Sequence, residues 1–270
     1  MSLPESILRR DHLIVAAALG LLIALAWAYI WQGAGMGMTA LQMTQITLLP
    51  HQHADMMVGM PMPAITFATI VAMWWVMMIA MMTPGVVPLV LLHARVLRHW
   101  QASSSANVPT ATLAVLAGYV TVWLVFACLA ALLQVALVRI GLLSEMMLSA
   151  RTPWLSAGIL ALAGIYQFST SKRACLRQCG GPIEFLMRYS RSTPFMLGVR
   201  HGIWCVGCCW VLMALLFVVG VMNIAWIAAL TLLVLLEKFS RASVLIRRGT
   251  GVLLIAWSIA TIVLTQISPV

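Results

Sequence analysis

Apolar runs long enough to cross a bilayer recur along the whole chain. A transmembrane helix needs about 20 predominantly apolar residues, and we identify seven candidate runs in the 270 residues, of which the fourth and the sixth are short. Only 8% of the residues are charged, whereas a soluble domain carries about 25%, so the chain cannot cover a water-facing surface. This composition excludes a soluble enzyme, a disordered protein, a disulfide scaffold and a coiled coil. The predicted fold class is all-α: a polytopic transmembrane helix bundle, forming a single domain over residues 1–270.

The seven predicted spans differ in how clearly the sequence marks their ends. The second contains Pro84 and Pro88, which remove helical hydrogen bonds, so we expect that helix to kink there or to end near Met82. Only Met222 and Asn223 separate the fifth span from the sixth, and we expect Asn223 to cap the helix that follows. The first span exceeds the roughly 7–15 apolar residues of a signal peptide and is predicted to be an uncleaved anchor. The spans are Leu13–Trp31, Ala64–Leu92, Thr112–Val138, Trp154–Phe168, His201–Gly220, Ile224–Glu237 and Gly251–Ile267.

The basic residues indicate how the bundle lies in the lipid bilayer. A net charge of +10 would suggest nucleic acid in a soluble protein, but here the basic residues lie between the apolar runs. With the N-terminus inside, 14 of the 16 Lys and Arg fall on the inner side, and only Arg139 and Arg151 fall outside. This division follows the positive-inside rule. We therefore predict a multi-pass protein of the cytoplasmic (inner) membrane with its C-terminus outside and no nucleic-acid partner.

The predicted outer loop, residues 33–63, combines thioethers with imidazoles and contains no Lys or Arg. Two of its histidines flank a single residue and can reach one ion if the loop is extended. Imidazole suits copper and zinc, whereas thioether selects Cu(I). The loop is predicted either to capture copper or to lie on the lipid surface as a Met-rich segment, with zinc as a further alternative. Its candidate ligands are His51, His53, Met56, Met60 and Met62.

A line of methionines continues into the second span. Met73, Met77 and Met81 lie four residues apart, which stacks three thioethers along one helix face, and a second line ends at Met82. Methionine at this spacing is also ordinary packing material. The concentration favours a metal role, because 12 of the 19 Met lie within residues 36–82. We predict a sulfur path from the outer loop into the membrane.

Cysteine gives the strongest indication of chemistry. Two cysteines lie in the most basic part of the chain, the predicted inner segment 169–200. On the fifth span, a histidine and three cysteines fall within an arc of about 100° of a helix. One helix face thus presents imidazole and thiols to a single ion. The candidate ligands of this group are Cys175, Cys179, His201, Cys205, Cys208 and Cys209.

Two other readings of these residues stay open. The cysteines are metal ligands, buried structural residues or redox sensors, and the Gly198-x₃-Gly202 spacing alone favours close helix packing. Disulfides are not expected on the cytoplasmic side. The arginines nearby are expected to lower the thiol pKa values toward thiolate. Glu237 and Lys238, at the end of the sixth span, are expected to pair across helices or to reach the interface.

Four separated blocks of the sequence follow one another in a characteristic order. They are Met73-Trp74-Trp75 with Ala80 to Pro84; Tyr166-Gln167 leading to Lys172, Cys175 and Cys179; Gly198 through Cys205 to Trp210; and Met222-Asn223, Trp226 and Glu237-Lys238. Together they are similar to a bacterial family of predicted metal-binding integral membrane proteins, although Ser169-Thr170-Ser171 stands where that family usually has Thr-Pro. The resemblance implies a multi-span bacterial inner-membrane protein with a metal site, and it implies no substrate.

Three hypotheses of function follow. In the first, the protein handles Cu(I), capturing it in the outer loop and passing it along the methionine line to the inner cysteines, where the ligands are softest. In the second, it is a non-transporting accessory or assembly subunit that binds a membrane-protein partner or a soluble metal chaperone, or helps to metallate a cuproenzyme. In the third, it is a structural membrane protein without metal. No acid–base pair or activated nucleophile can be named, so no enzyme is predicted.

Overall fold

The computed structural model describes residues 3–34, 44, 66–100, 108–143, 150 and 152–267, with the side chains of residues 3–14 and 99–100 left aside. The regular structure of these residues is helical, apart from one isolated antiparallel bridge between Leu143 and Ala150. The helices are α1 (Leu3–Trp31), α2 (Phe67–Met82), α3 (Val87–Trp100), α4 (Val108–Arg139), α5 (Pro153–Phe168), α6 (Thr170–Gly180), α7 (Pro182–Arg188), α8 (Pro194–Ala214), α9 (Leu216–Val219), α10 (Ile224–Phe239) and α11 (Ser243–Ile267).

Four helical segments are long and apolar enough to cross a membrane. They are Phe67–Gly85, Val108–Arg139, Pro194–Val219 and Ser243–Ile267. Two further segments, Val15–Trp31 and Pro153–Phe168, are apolar but shorter. The all-α class and the presence of membrane-length apolar helices are therefore confirmed. The number of seven spans and their orientation stay predictions.

The second predicted span is two helices. α2 ends at Met82, a 3₁₀ turn follows over Thr83–Gly85, and α3 begins at Val87. Pro84 occupies the first turn of the 3₁₀ segment, where its missing N–H costs no helical hydrogen bond. The sequence predicts either a kink at the prolines or a helix end near Met82, and the structure shows the helix end at Met82.

Four helices begin four or more residues earlier than the apolar pattern predicts: α1 at Leu3, α4 at Val108, α8 and α11. α8 starts at Pro194 rather than His201, because Thr193 caps it by accepting a hydrogen bond from the N–H of Met196. α11 starts at Ser243 rather than Gly251, since its first turns include arginines that an apolar pattern excludes but a helix accommodates. All four corrections lengthen the helices.

Glycines set the closest helix crossings. A β-carbon at Gly118 of α4 would overlap the carbonyl oxygen of Phe195, and one at Gly198 of α8 would overlap that of Val115. Gly202 also faces α4, where a β-carbon would lie 2.9 Å from Cβ of Val122. The Gly198-x₃-Gly202 spacing therefore serves close packing of α8 on α4, as one reading of the sequence expected.

Short connections fold α6 back beside α8. Ser169 ends α5 and caps α6, accepting a hydrogen bond from the N–H of Lys172 at 3.0 Å. The pair Gly181-Pro182 then separates α6 from α7. Asn223 caps α10 through the N–H of Trp226, as predicted. Because α8 packs against α4, α5, α6 and α10, it lies where these helices meet.

The glycine crossing makes a stability prediction. We expect Gly198→Ala to lower the free energy of unfolding by about 1–3 kcal/mol or more, because the new methyl group must displace backbone atoms of α4. Gly158→Ala is the matched control, since its β-carbon meets no described atom within 4 Å and alanine favours a helix over glycine by about 1 kcal/mol. Thermal unfolding of both purified variants in detergent measures the difference. Equal melting temperatures would contradict the close crossing.

Candidate metal centre

Three buried thiols converge between α6 and α8. The Sγ atoms of Cys179, Cys205 and Cys208 all lie within 4.8 Å of one another. Cys205 and Cys208 are three residues apart and share one face of α8, and Cys179 faces them from α6. Sulfurs that share one ion lie about 2.3 Å from it, and so within roughly 4–5 Å of each other. The spacing of the three thiols fits a single soft ion.

Cys205 lies at the polar centre of this group. Nζ of Lys238 on α10 donates a hydrogen bond to its Sγ at 3.0 Å. The hydroxyl of Tyr119 on α4 lies 3.2 Å from the same sulfur and 2.9 Å from the carbonyl oxygen of Met82, to which it donates. Helices α4, α6, α8 and α10 therefore all contribute side chains to the immediate surroundings of the Cys205 thiol.

A fourth thiol and a thioether adjoin the three. Sγ of Cys209 donates to the carbonyl oxygen of Cys205 at 2.8 Å and lies 3.9 Å from Sδ of Met82. Cys208 donates to the same carbonyl oxygen at 3.1 Å. Because Met82 ends α2, the second methionine line of that helix leads to the cysteines. All six cysteines of the chain are free thiols.

His201 borders the group on the side of Cys179. Its Nε2 lies 3.8 Å from Sγ of Cys179, and its ring packs against Phe185 and Tyr119 at centroid distances of 5.0 and 5.9 Å. Nδ1 of this buried ring has no hydrogen-bond partner among the described residues. His201 thus adjoins Cys179 through Nε2, but it does not belong to the group of ligand atoms that lie within 4.8 Å of one another.

Cys175 is not brought to the three thiols. It lies one turn before Cys179 on α6, and its sulfur packs on Gly207, where a β-carbon would lie 2.9 Å from Sγ. Burial raises the pKa of the Cys175 thiol. Hydrogen bonds with Cys205 and Cys208, followed by burial, raise the pKa of Cys179. The expectation that the nearby arginines lower these pKa values is therefore wrong, because desolvation and thiol–thiol hydrogen bonds dominate.

The predicted methionine line is buried within α2. Met73, Met77 and Met81 are each at most 1% exposed, which suits packing as well as a metal path. The recorded sulfur contact with a cysteine belongs to Met82, at the end of the other line. The candidate ligands of the outer loop lie outside the described residues. They are His51, His53, Met56, Met60 and Met62.

A buried ion pair anchors the helices that carry the thiols and Lys238. Nζ of Lys172 on α6 lies 2.7 Å from Oε2 of Glu237 on α10, and the two side chains are 0% and 2% exposed. Gln167 of α5 donates to Oε1 of Glu237 at 2.9 Å, and Arg247 of α11 donates to the carbonyl oxygen of Gln167. Glu237 does pair across helices, as predicted. Because Lys238 is the next residue, the ion pair also fixes its position.

The residues that sequence reasoning missed are Tyr119, Met82 and Lys238. Tyr119 lies inside a long apolar helix and carries no signal of its own. Met82 ends the second methionine line of α2, whereas the predicted ligands are those of the first line, Met73, Met77 and Met81. Lys238 had a signal, since Glu237 and Lys238 are charged residues at the end of an apolar run, but the sequence gives no sign that Lys238 turns toward Cys205.

Comparison with known families places the chain. Residues 71–261, well over half of its length, match the sequence profile of the PpoB2 family, described as copper chaperones. The chain belongs to this copper chaperone family. The matched region contains every described residue of the candidate centre. Neither the curated proteins nor the solved structures contain a match. The metal-binding character expected from the sequence blocks is consistent with this family.

The ion pair makes a second stability prediction. We expect Glu237→Gln to lower the free energy of unfolding by about 3–5 kcal/mol, because it leaves the buried ammonium of Lys172 without a counter-charge. Glu184→Gln removes an exposed carboxylate from α7 and is the control, with an expected change below about 0.5 kcal/mol. Detergent-phase thermal unfolding compares the two. A loss no larger than that of the control would show that the pair does not anchor the helices.

Proposed function

We propose that this protein is a membrane-embedded copper chaperone that carries Cu(I) on Cys179, Cys205 and Cys208. The observation that supports this most is the convergence of three buried thiols within 4.8 Å in a chain of a copper chaperone family. Thiolate is a soft ligand and suits Cu(I). Copper is the cargo in this proposal, so the site must both hold the ion and give it up.

Zinc is the competing ion for the same residues. Zinc prefers four ligands in tetrahedral arrangement, and His201 beside Cys179 offers a fourth donor. Copper is favoured by the family and by the thioether of Met82, which adjoins the cysteines and is too soft a ligand for zinc. We therefore propose Cu(I) as the physiological ion.

We propose that the protein resides in the bacterial inner membrane with its thiols inside the helix bundle. The four membrane-length apolar helices support this location. Many large apolar side chains face outward from these helices, such as Leu113, Leu129 and Leu253, each more than 60% exposed. An apolar exterior of this kind is stable against lipid and unstable against water.

Copper is proposed to reach the cysteines along the sulfur of α2. In this route the outer loop captures the ion and the methionines of α2 pass it on to the thiols, which bind it more tightly. The contact between Sδ of Met82 and Sγ of Cys209 supports the final step, since it joins α2 to α8 through two soft atoms 3.9 Å apart.

The family favours an accessory role over a transporter. A chaperone hands its ion to a partner, here a membrane protein, a cuproenzyme or a soluble metal chaperone, so the proposed route ends at the thiols and releases no free copper. We propose such a carrier without enzymatic activity. Reconstituted vesicles distinguish the roles, because a transporter accumulates copper in the lumen and an accessory protein only binds it.

Replacing the thiols tests the metal site. We expect Cys205→Ser combined with Cys208→Ser to abolish stoichiometric copper binding, because a hydroxyl is a poor ligand for Cu(I). Cys128→Ser, at a half-buried thiol remote from the three, is the matched control and retains full copper. Elemental analysis of the proteins purified under reducing conditions gives the copper content. A double variant with wild-type copper would overturn the proposed site, and metal-free wild-type protein would favour a structural role.

Replacing the adjoining thioether tests the route. We expect Met82→Leu to slow copper loading about tenfold or more while leaving the final stoichiometry unchanged, because the last donor before the thiols is lost. Met222→Leu makes the same change at a buried methionine outside α2 and serves as the control. Stopped-flow mixing with a Cu(I) donor measures the rate. Equal rates for both variants would exclude Met82 from the path.

A further inference from the structure

Lys238 stands out because its charge is buried beside the proposed copper ligands. Its side chain is 7% exposed, and the recorded partner of Nζ is Sγ of Cys205 at 3.0 Å. The neighbouring carboxylate of Glu237 is bound by Lys172 at 2.7 Å. A buried ammonium needs an anionic partner to offset the loss of water. For Lys238 that partner is the negative charge of metal-bound thiolates at Cys205 and its neighbours.

The fold leaves room for this ammonium. A β-carbon at Gly85, in the turn after α2, would lie 2.7 Å from Nζ of Lys238. A β-carbon at Gly180, the last residue of α6, would lie 2.9 Å from the carbonyl oxygen of Lys238. Glycine at position 85 therefore leaves space for the ammonium, and glycine at position 180 lets the end of α6 approach the backbone of α10 at Lys238. The packing around Lys238 therefore accommodates its ammonium beside Cys205.

A fixed positive charge discriminates between ions of different charge. With any given number of thiolates, the Cu(I) complex is one unit more negative than the Zn(II) complex. The ammonium therefore attracts the copper complex more strongly than the zinc complex, by the interaction with one additional negative charge. This difference is the same for any number of bound cysteines. At a few ångström in a buried site, such an interaction exceeds the thermal energy several times.

We propose that Lys238 is the selectivity-determining residue of the site, favouring monovalent Cu(I) over divalent ions. This inference rests on the proposed function and adds the property that sets the cargo. Lys238 is not a ligand in it: the ammonium acts through the net charge of the thiolate complex beside it. Softness alone would admit Zn(II) to three thiols and a histidine; the charge of Lys238 opposes that outcome.

The test is a competition between the two metals. Purified protein in detergent is equilibrated with Cu(I) and Zn(II) under anaerobic reducing conditions, and the ratio of bound copper to bound zinc is measured by elemental analysis. We expect Lys238→Met to lower this ratio about tenfold or more, and Lys238→Arg, which keeps the charge, to restore it toward the wild-type ratio. Arg241→Met, which removes an exposed charge three residues further on, leaves it unchanged.

The ratio separates selectivity from folding. A merely structural role of Lys238 lowers both occupancies together and leaves the ratio as it was, which overturns the proposal. Failure of the proposed function has a different signature: copper binding persists in the Cys205→Ser, Cys208→Ser double variant.

Discussion

The buried ion pair between Lys172 and Glu237 is the interaction on which the candidate centre depends. Two charges this deep are stable only when they are paired and hydrogen bonded, and the pair is closed by Gln167, which is held in turn by Arg247. It joins four helices at one level of the bundle. Cys179 and Lys238 are carried by two of these helices, so the positions of a thiol and of the ammonium follow from where the pair forms.

α8 shows how one helix serves packing and chemistry at once. Gly198 and Gly202 face α4 and let the two backbones approach, and further along the helix Cys205 meets Tyr119 of α4 and Lys238 of α10. Gly198 and Cys205 are seven residues apart, as are Gly202 and Cys209, so these glycines and cysteines share one side of α8 at levels about two turns apart. The packing reading is therefore confirmed for the glycines, and the metal reading of the cysteines stays a prediction that their convergence supports.

The sequence predicts the helical class and the joining of Cys205 with Cys208, because helical periodicity alone decides them. It does not predict which of Cys175 and Cys179 joins that pair. The two lie one turn apart on α6, so the choice depends on how α6 rotates against α8, and the ion pair and Gly207 settle it in three dimensions. The sequence does not predict Tyr119 and Lys238 as part of the site for the same reason, since each contacts Cys205 from a different helix.

Burial constrains how a chaperone built on this centre exchanges its cargo. Cys179, Cys205 and Cys208 are at most 3% exposed, so bound copper has no direct path to water, and a free aqueous ion is not a plausible intermediate. In the proposed chaperone, exchange would replace one soft ligand with another, and Cys209 with Met82 is the adjoining pair of sulfurs. A donor or acceptor must engage that side of the cluster or displace α6. Since α6 is held by the Lys172–Glu237 ion pair, the interaction that shapes the site also opposes its opening.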